Sequence, residues 1–172
     1  MSFLILITGF LSGSLIKLTD DIEDKNLLHK LYAIPCGLAY GLLMGYLMIS
    51  DTDAALLFGG IILGNLVTGK INSMGHYFGL GAIFVVIFLY GIKLSLIVLP
   101  IAALAALDEI GDLIHAPKFL ELIFKYRLIL KVGILVLVAL NVLGLNALIV
   151  LLAFQTSYIL PHRITRRAAH EI

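Results

Sequence analysis

Apolar runs of roughly membrane-crossing length follow one another along this chain with very little between them, and that pattern removes most of the folds open to 172 residues. A spanning helix needs about 20 mostly apolar residues, with roughly 17 tolerated. Seven runs are read as helices, at residues 2–24, 32–50, 54–69, 77–91, 94–112, 128–143 and 146–160. Polar or glycine-containing breaks such as Asp51-Thr52-Asp53, Gly91-Ile92-Lys93 and Gly144-Leu145-Asn146 separate them. Charged residues make up 13% of the chain, against about a quarter in soluble domains. The expectation is one all-α domain over residues 1–172, a polytopic transmembrane helical bundle of about seven helices. The run from Phe3 to Ile16 lacks a basic leader and a small-residue cleavage site, so it is read as a retained helix rather than a signal peptide.

Orientation follows from the basic residues, because cytoplasmic loops carry the excess of Lys and Arg. Lys17, Lys25, Lys30, Lys70, Lys118, Lys125, Arg127, Lys131, Arg163, Arg166 and Arg167 fall on one side of the predicted spans, and Lys93 alone on the other. This places the N-terminus outside and the C-terminus in the cytoplasm. Residues 116–126 alternate apolar and charged positions at helical spacing and read as a short amphipathic helix on the cytoplasmic surface. Gly9 and Gly13, Gly37, Gly41 and Gly45, and Gly60 and Gly64 form small-xxx-small stripes suited to close helix contact in lipid. Cys36 is the only cysteine, which excludes an internal disulfide and reads as a small apolar helix residue.

Against this hydrocarbon background two acidic clusters stand out, Asp20-Asp21-Ile22-Glu23-Asp24 and Asp108-Glu109-Ile110-Gly111-Asp112, each at the end of an apolar run. In each, the outer aspartates are one helical turn apart on one face. Carboxylates at a helix C-terminus face the negative end of its dipole, an arrangement that calls for a compensating cation. Ionisable groups near the hydrocarbon are functional candidates by default. Hard oxygen donors suit Mg²⁺, which takes one or two carboxylates and is completed by water and phosphate oxygens. Asp20, Asp21, Asp24, Asp108 and Asp112 are therefore the candidate metal ligands. Lys70, Asn72, Ser73 and His76, in the loop after the third run, are candidates for a phosphate cradle, with Lys17, Lys25, Lys118 and His115 as further polar groups on the same side. No Gly-x-Ser-x-Gly, no phosphate-binding Gly-x4-Gly-Lys loop and no basic-aromatic tract occurs, which argues against a serine hydrolase, a P-loop nucleotide enzyme and a nucleic-acid partner.

The two clusters resemble the paired aspartate motifs of the UbiA superfamily of intramembrane prenyltransferases. Asp20, Asp21 and Asp24 are similar to its Asn-Asp-x2-Asp motif, and Asp108 to Asp112 is similar to its second motif, including the glycine before the final aspartate. The four-helix offset between the motifs agrees as well. The resemblance implies Mg²⁺ as cofactor, a polyprenyl diphosphate donor and a lipophilic acceptor reached from the bilayer. The chain departs from the family in its shortness, in Leu28 where a further aspartate is usual, and in having only His115 and Lys118 close behind the second motif. Two other readings of the same residues are a small cation transporter or channel with a duplicated acidic site, and a membrane scaffold without chemistry. The transporter reading expects its ion site near mid-membrane, whereas these acids lie at the ends of the runs.

Overall fold

The computed structural model describes residues 3–25, 28–113 and 118–168. Among them the regular structure is entirely helical: α1 (Phe3–Lys25), a 3₁₀ turn (Lys30–Tyr32), α2 (Ala33–Ser50), α3 (Thr52–Val67), α4 (Met74–Tyr90), α5 (Val98–Leu113), α6 (Lys118–Lys125), α7 (Leu128–Ala139) and α8 (Leu145–Ala168). Seven of these correspond to the seven apolar runs, and α6 is the expected amphipathic surface segment. The 3₁₀ turn and α2 together, and α1 by itself, are long and apolar enough to cross a membrane. Thr52–Val67, Met74–Tyr90, Leu128–Ala139 and Leu145–Tyr158 are apolar but shorter.

Local chemistry explains where the helix ends depart from expectation. α5 begins at Val98 rather than Leu94 because Pro100 is tolerated only in a first turn, where its missing N–H would have had no partner. α7 stops at Ala139, four residues early, because Asn141 takes a left-handed conformation with φ 57°, a usual way to end a helix. At 12 residues α7 falls short of the hydrocarbon thickness. α3 closes with paired bonds from Gly69 N to Leu66 O and from Lys70 N to Asn65 O, and Gly69 supplies the left-handed residue at φ 69° that this stop requires. In α1, the hydroxyls of Thr8, Ser12, Ser14 and Thr19 donate to carbonyls one turn back, so these polar groups are satisfied inside their own helix.

The chain divides into two compact units. The first comprises Met1–Leu47, Ser73–Gly91 and Ile149–Ile172; the second comprises Met48–Asn72 and Ile92–Leu148. Within the first unit, Gly9 and Gly13 lie against Val150 and Phe154 of α8, so α1 and α8 run parallel. Gly37 and Gly41 of α2 meet the backbone of Gly75 and Gly79 of α4, again in parallel. Within the second unit, Gly60 packs on Ile101 and Gly64 on Ala102 and Ala105, making α3 and α5 parallel, while Leu104 against Gly133 and Asp108 on the Leu130 amide make α5 and α7 antiparallel.

The stripes are the seams of both units, since only a residue without a side chain lets two backbones come this close. A Cβ on Gly41 would overlap the Gly79 carbonyl, whereas one on Gly81 would meet nothing within 4 Å. Gly41→Val is therefore expected to destabilise the protein by about 1–3 kcal/mol or more, and Gly81→Ala to leave it unchanged or raise it by roughly 0.5–1 kcal/mol. Unfolding titrations of both variants in mixed micelles would check this. Equal behaviour of the two would remove the seam as a source of stability.

Candidate functional site

Each acidic cluster sits in the last turns of its helix, and the structure gives almost every described carboxylate a partner from the chain itself. In the first unit, Asp20 receives the side chains of two other helices. His76 of α4 places Nε2 2.8 Å from Asp20 Oδ1, and the Tyr158 hydroxyl of α8 donates to Oδ2 at 2.5 Å. A carboxylate only accepts, so Nε2 of His76 carries the proton, and in the neutral ring Nδ1 accepts from the Tyr40 hydroxyl of α2 at 3.0 Å. Four helices thereby contribute one side chain each to a continuous polar chain, Tyr40–His76–Asp20–Tyr158. Tyr40 is buried, and Asp20 and His76 are each about 15% exposed.

Asp21 faces a different neighbourhood. Its buried Oδ1 lies 2.9 Å from the ammonium of Lys17 and 2.8 Å from that of Lys25, one turn before and one turn after it. Both approaches are within the range of charge-assisted hydrogen bonds from ammonium to carboxylate. Lys17 also stands 5.3 Å from the centre of the Tyr158 ring, within reach of a cation–π contact. Glu23 accepts from the backbone N–H of Gly75 at 2.9 Å and so caps α4. Ser73, the residue in the capping position, makes no such bond. Asp24 is exposed at the tip of the helix.

In the second unit Asp108 is 2% exposed, and its two oxygens accept from the amides of Ile129 at 3.2 Å and Leu130 at 2.8 Å. It caps α7 from another helix, a role that the residue preceding α7, Arg127, does not fill. Glu109, 4% exposed, is paired with the Arg127 guanidinium and lies 3.5 Å from Lys70 Nζ. The motif glycine, Gly111, is where Phe124 of α6 packs, in the space a Cβ would occupy. The amphipathic helix is thereby seated on the second motif.

Of the residues singled out from sequence, the structure brings Asp20 and His76 together and joins Lys17 and Lys25 to Asp21. It sets Lys70 on Glu109, a motif residue not chosen as a ligand, and leaves Asn72 exposed. Asp112 and Lys118 lie in helical segments whose side chains are outside the described residues, and His115 is outside them altogether. Tyr40, Tyr158 and Arg127 carried no sequence signal, because their roles arise only from contacts between helices.

The donor chemistry of the first motif fits a hard divalent cation. Asp21 Oδ1 is a buried anionic oxygen, a hard donor whose charge is here met by two ammonium groups that a divalent cation would have to replace. Among the described residues no group of three or more His, Cys, Asp or Glu could hold a metal by itself. Mg²⁺, however, needs only one or two carboxylates when water and phosphate oxygens complete its shell. No protein-family profile, no curated protein and no solved structure matches this chain.

The buried chain through Asp20 sets a testable energetic requirement. His76→Ala removes the donor from one Asp20 oxygen and is expected to lower stability by about 1–3 kcal/mol. Adding Asp20→Asn should recover part of that loss, since the amide carries no charge to leave uncompensated. A double-mutant cycle by denaturant unfolding measures the coupling; additive effects would show that the contact contributes nothing.

Proposed function

We propose that the chain is a polytopic membrane protein that acts on an isoprenoid diphosphate, with prenyl transfer to a lipophilic acceptor as its reaction. The observation that carries this reading is Asp21, a buried carboxylate at a helix end bearing two ammonium groups, beside the exposed Asp24 one turn on. In it, Asp21 and Asp24 of the first motif would hold Mg²⁺, while Asp20 and Asp108 are positioning residues that fix α1 and α5. When bound, Mg²⁺ would neutralise the diphosphate leaving group. Lys17 and Lys25 provide positive charge at the same place, within reach of phosphate oxygens. The resemblance to the UbiA superfamily supports the reaction class.

The multi-pass reading draws on two further features. Two helices, α1 and α2 with its preceding turn, are long and apolar enough to cross a membrane, and four more are apolar but shorter. Large apolar side chains also remain on the outside: Phe84, Val85, Phe88 and Leu89 of α4 and Leu96 and Leu99 around the start of α5 are all more than half exposed. Extended apolar surface of this kind suits a membrane or partner contact. The basic residues orient the protein with its N-terminus outside and both acidic motifs toward the cytoplasm.

Two measurements test the proposal. Farnesyl diphosphate should bind the purified chain at least about tenfold more tightly with Mg²⁺ than without, a difference of ~1.4 kcal/mol, and the Asp21→Asn/Asp24→Asn variant should lose that difference. Equal affinity with and without the metal would overturn the assignment. For orientation, a Cys36→Ser background allows single labelling sites. Lys93→Cys should react with an impermeant maleimide in intact cells and Asn72→Cys only after permeabilisation; the reverse pattern would invert the topology.

A further inference from the structure

We infer that the ring of Tyr158 and the amide oxygen of Gln155, one turn apart on α8, form a cation subsite beside the first motif. On the prenyl-transfer reading, on which this rests, the charge it receives is the allylic cation of the donor. Lys17 marks the place: its ammonium stands 5.3 Å from the centre of the Tyr158 ring, within cation–π range, and 2.9 Å from Asp21 Oδ1. One cation-sized position thus touches both the aromatic face and the carboxylate proposed to hold the metal. The ring is fixed at its tip, where the Tyr158 hydroxyl donates to Asp20 Oδ2 at 2.5 Å, and Asp20 is in turn held by His76.

Gln155 is 5% exposed, and its Oε1 is buried without a hydrogen-bond partner among the described residues. A buried acceptor in that state is unfavourable until something positive or hydrogen-bonding completes it. The nearby hydroxyls of Thr8, Ser12 and Thr19 are committed to carbonyls of their own helix. Three residues apart on a helix, Gln155 and Tyr158 share a flank. Ala153, about 200° around the helix from Gln155, lines an outer groove with Leu6 and Phe10 of α1, so the Gln155 flank is the one turned inward. An aromatic face and a neutral amide oxygen both present negative potential without charge or strong nucleophilicity. They can therefore stabilise a reactive cation without capturing it. In the step they serve, the C1–O bond of the donor breaks and both electrons leave on the diphosphate, so that positive charge spreads over C1 and C3 of the allyl group. Lys17 passes from the ring to the phosphate oxygens, and the allylic cation takes its place. The nucleophilic atom of the acceptor then bonds to C1, and the proton it loses goes to the released diphosphate.

The test is calorimetric titration of the purified full chain, in neutral detergent with excess EDTA, with trimethylfarnesylammonium and with uncharged farnesol as the reference tail. The ammonium, whose fixed charge sits where the allylic cation forms, should bind about two- to thirtyfold more tightly than farnesol, the range of a cation–π contact. Tyr158→Phe loses the hydroxyl bond to Asp20 but keeps the ring, and should retain the preference; Tyr158→Leu should lose most of it, and Gln155→Leu part. Lys17→Gln, which vacates the ring face, should strengthen ammonium binding. Stepwise fluorination of the ring in the Tyr158→Phe protein keeps its shape while draining its π face, so the preference should fall with each fluorine, a dependence that a purely structural ring would not show. In the magnesium-loaded protein the same series should slow pyrophosphate release from farnesyl diphosphate and leave its KM unchanged. Equal affinity for ammonium and farnesol, or a preference indifferent to fluorination, would overturn the subsite. A fluorine-dependent preference without magnesium-dependent binding of farnesyl diphosphate would keep the subsite while overturning the identity of its cation, along with the prenyl-transfer reading.

Discussion

A buried carboxylate in a chain this poor in charge has to be satisfied by the protein, because neither hydrocarbon nor apolar side chains offer it a donor. Five acids of the two motifs meet that demand in different ways. Asp20 takes a histidine and a tyrosine, Asp21 two lysines, Glu23 a backbone amide, Asp108 two backbone amides, and Glu109 an arginine and a lysine. Four of these five reach beyond their own helix. Asp20 and Glu23 tie α1 to α4, and Asp20 ties it also to α8; Asp108 and Glu109 tie α5 to the start of α7. The acids thus work as joints, and their neutralisation is a condition of the packing around them.

The glycine seams and the acidic joints are in phase. On α1, Gly9, Gly13 and Asp20 are separated by four and seven residues, which brings all three onto one face. Opposite them on α8 stand Val150, Phe154 and Tyr158, each one turn after the last. Close backbone approach along the seam is what brings the Tyr158 hydroxyl within reach of Asp20 at its end. Along such a small-residue seam, contact area and interhelical hydrogen bonds together fix the register of the two helices. A bulky residue at Gly13 would therefore disturb the polar chain through Asp20 as well as the seam.

Helix number and the amphipathic character of α6 were legible from apolar periodicity, which is a one-dimensional property of the chain. Helix ends were less so: Pro100 and Asn141 shortened α5 and α7 against the reach of their apolar runs. The acids of the site were also legible, because charge at the end of an apolar run is conspicuous. Their partners were not. Whether Tyr158 meets Asp20 and Tyr40 meets His76 depends on the rotation of four helices about their axes, and nothing in the local sequence of either tyrosine records it. Arg127 lies eighteen residues beyond Glu109 and reaches it only through a left-handed turn that an arginine would not be expected to make. The motif glycine, Gly111, looked like part of a ligand pattern, and its observed role is to admit the ring of Phe124.

These pairings alter the electrostatic reading of both motifs. From sequence they are concentrations of negative charge, which would repel a diphosphate unless a metal came first. Folded, Asp21 is matched by Lys17 and Lys25, and Glu109 by Lys70 and Arg127, so that each motif presents a network of ion pairs rather than a bare anion. A magnesium diphosphate is itself an ion pair. If the proposed function holds, its arrival would exchange partners, carboxylate to metal and ammonium to phosphate, without leaving any buried charge alone, which is the condition that low-dielectric surroundings impose most strictly. The same condition explains why lysines lie one turn on either side of Asp21: they keep the carboxylate buried and ionised while no other cation is present, and their flexible stems allow them to yield it.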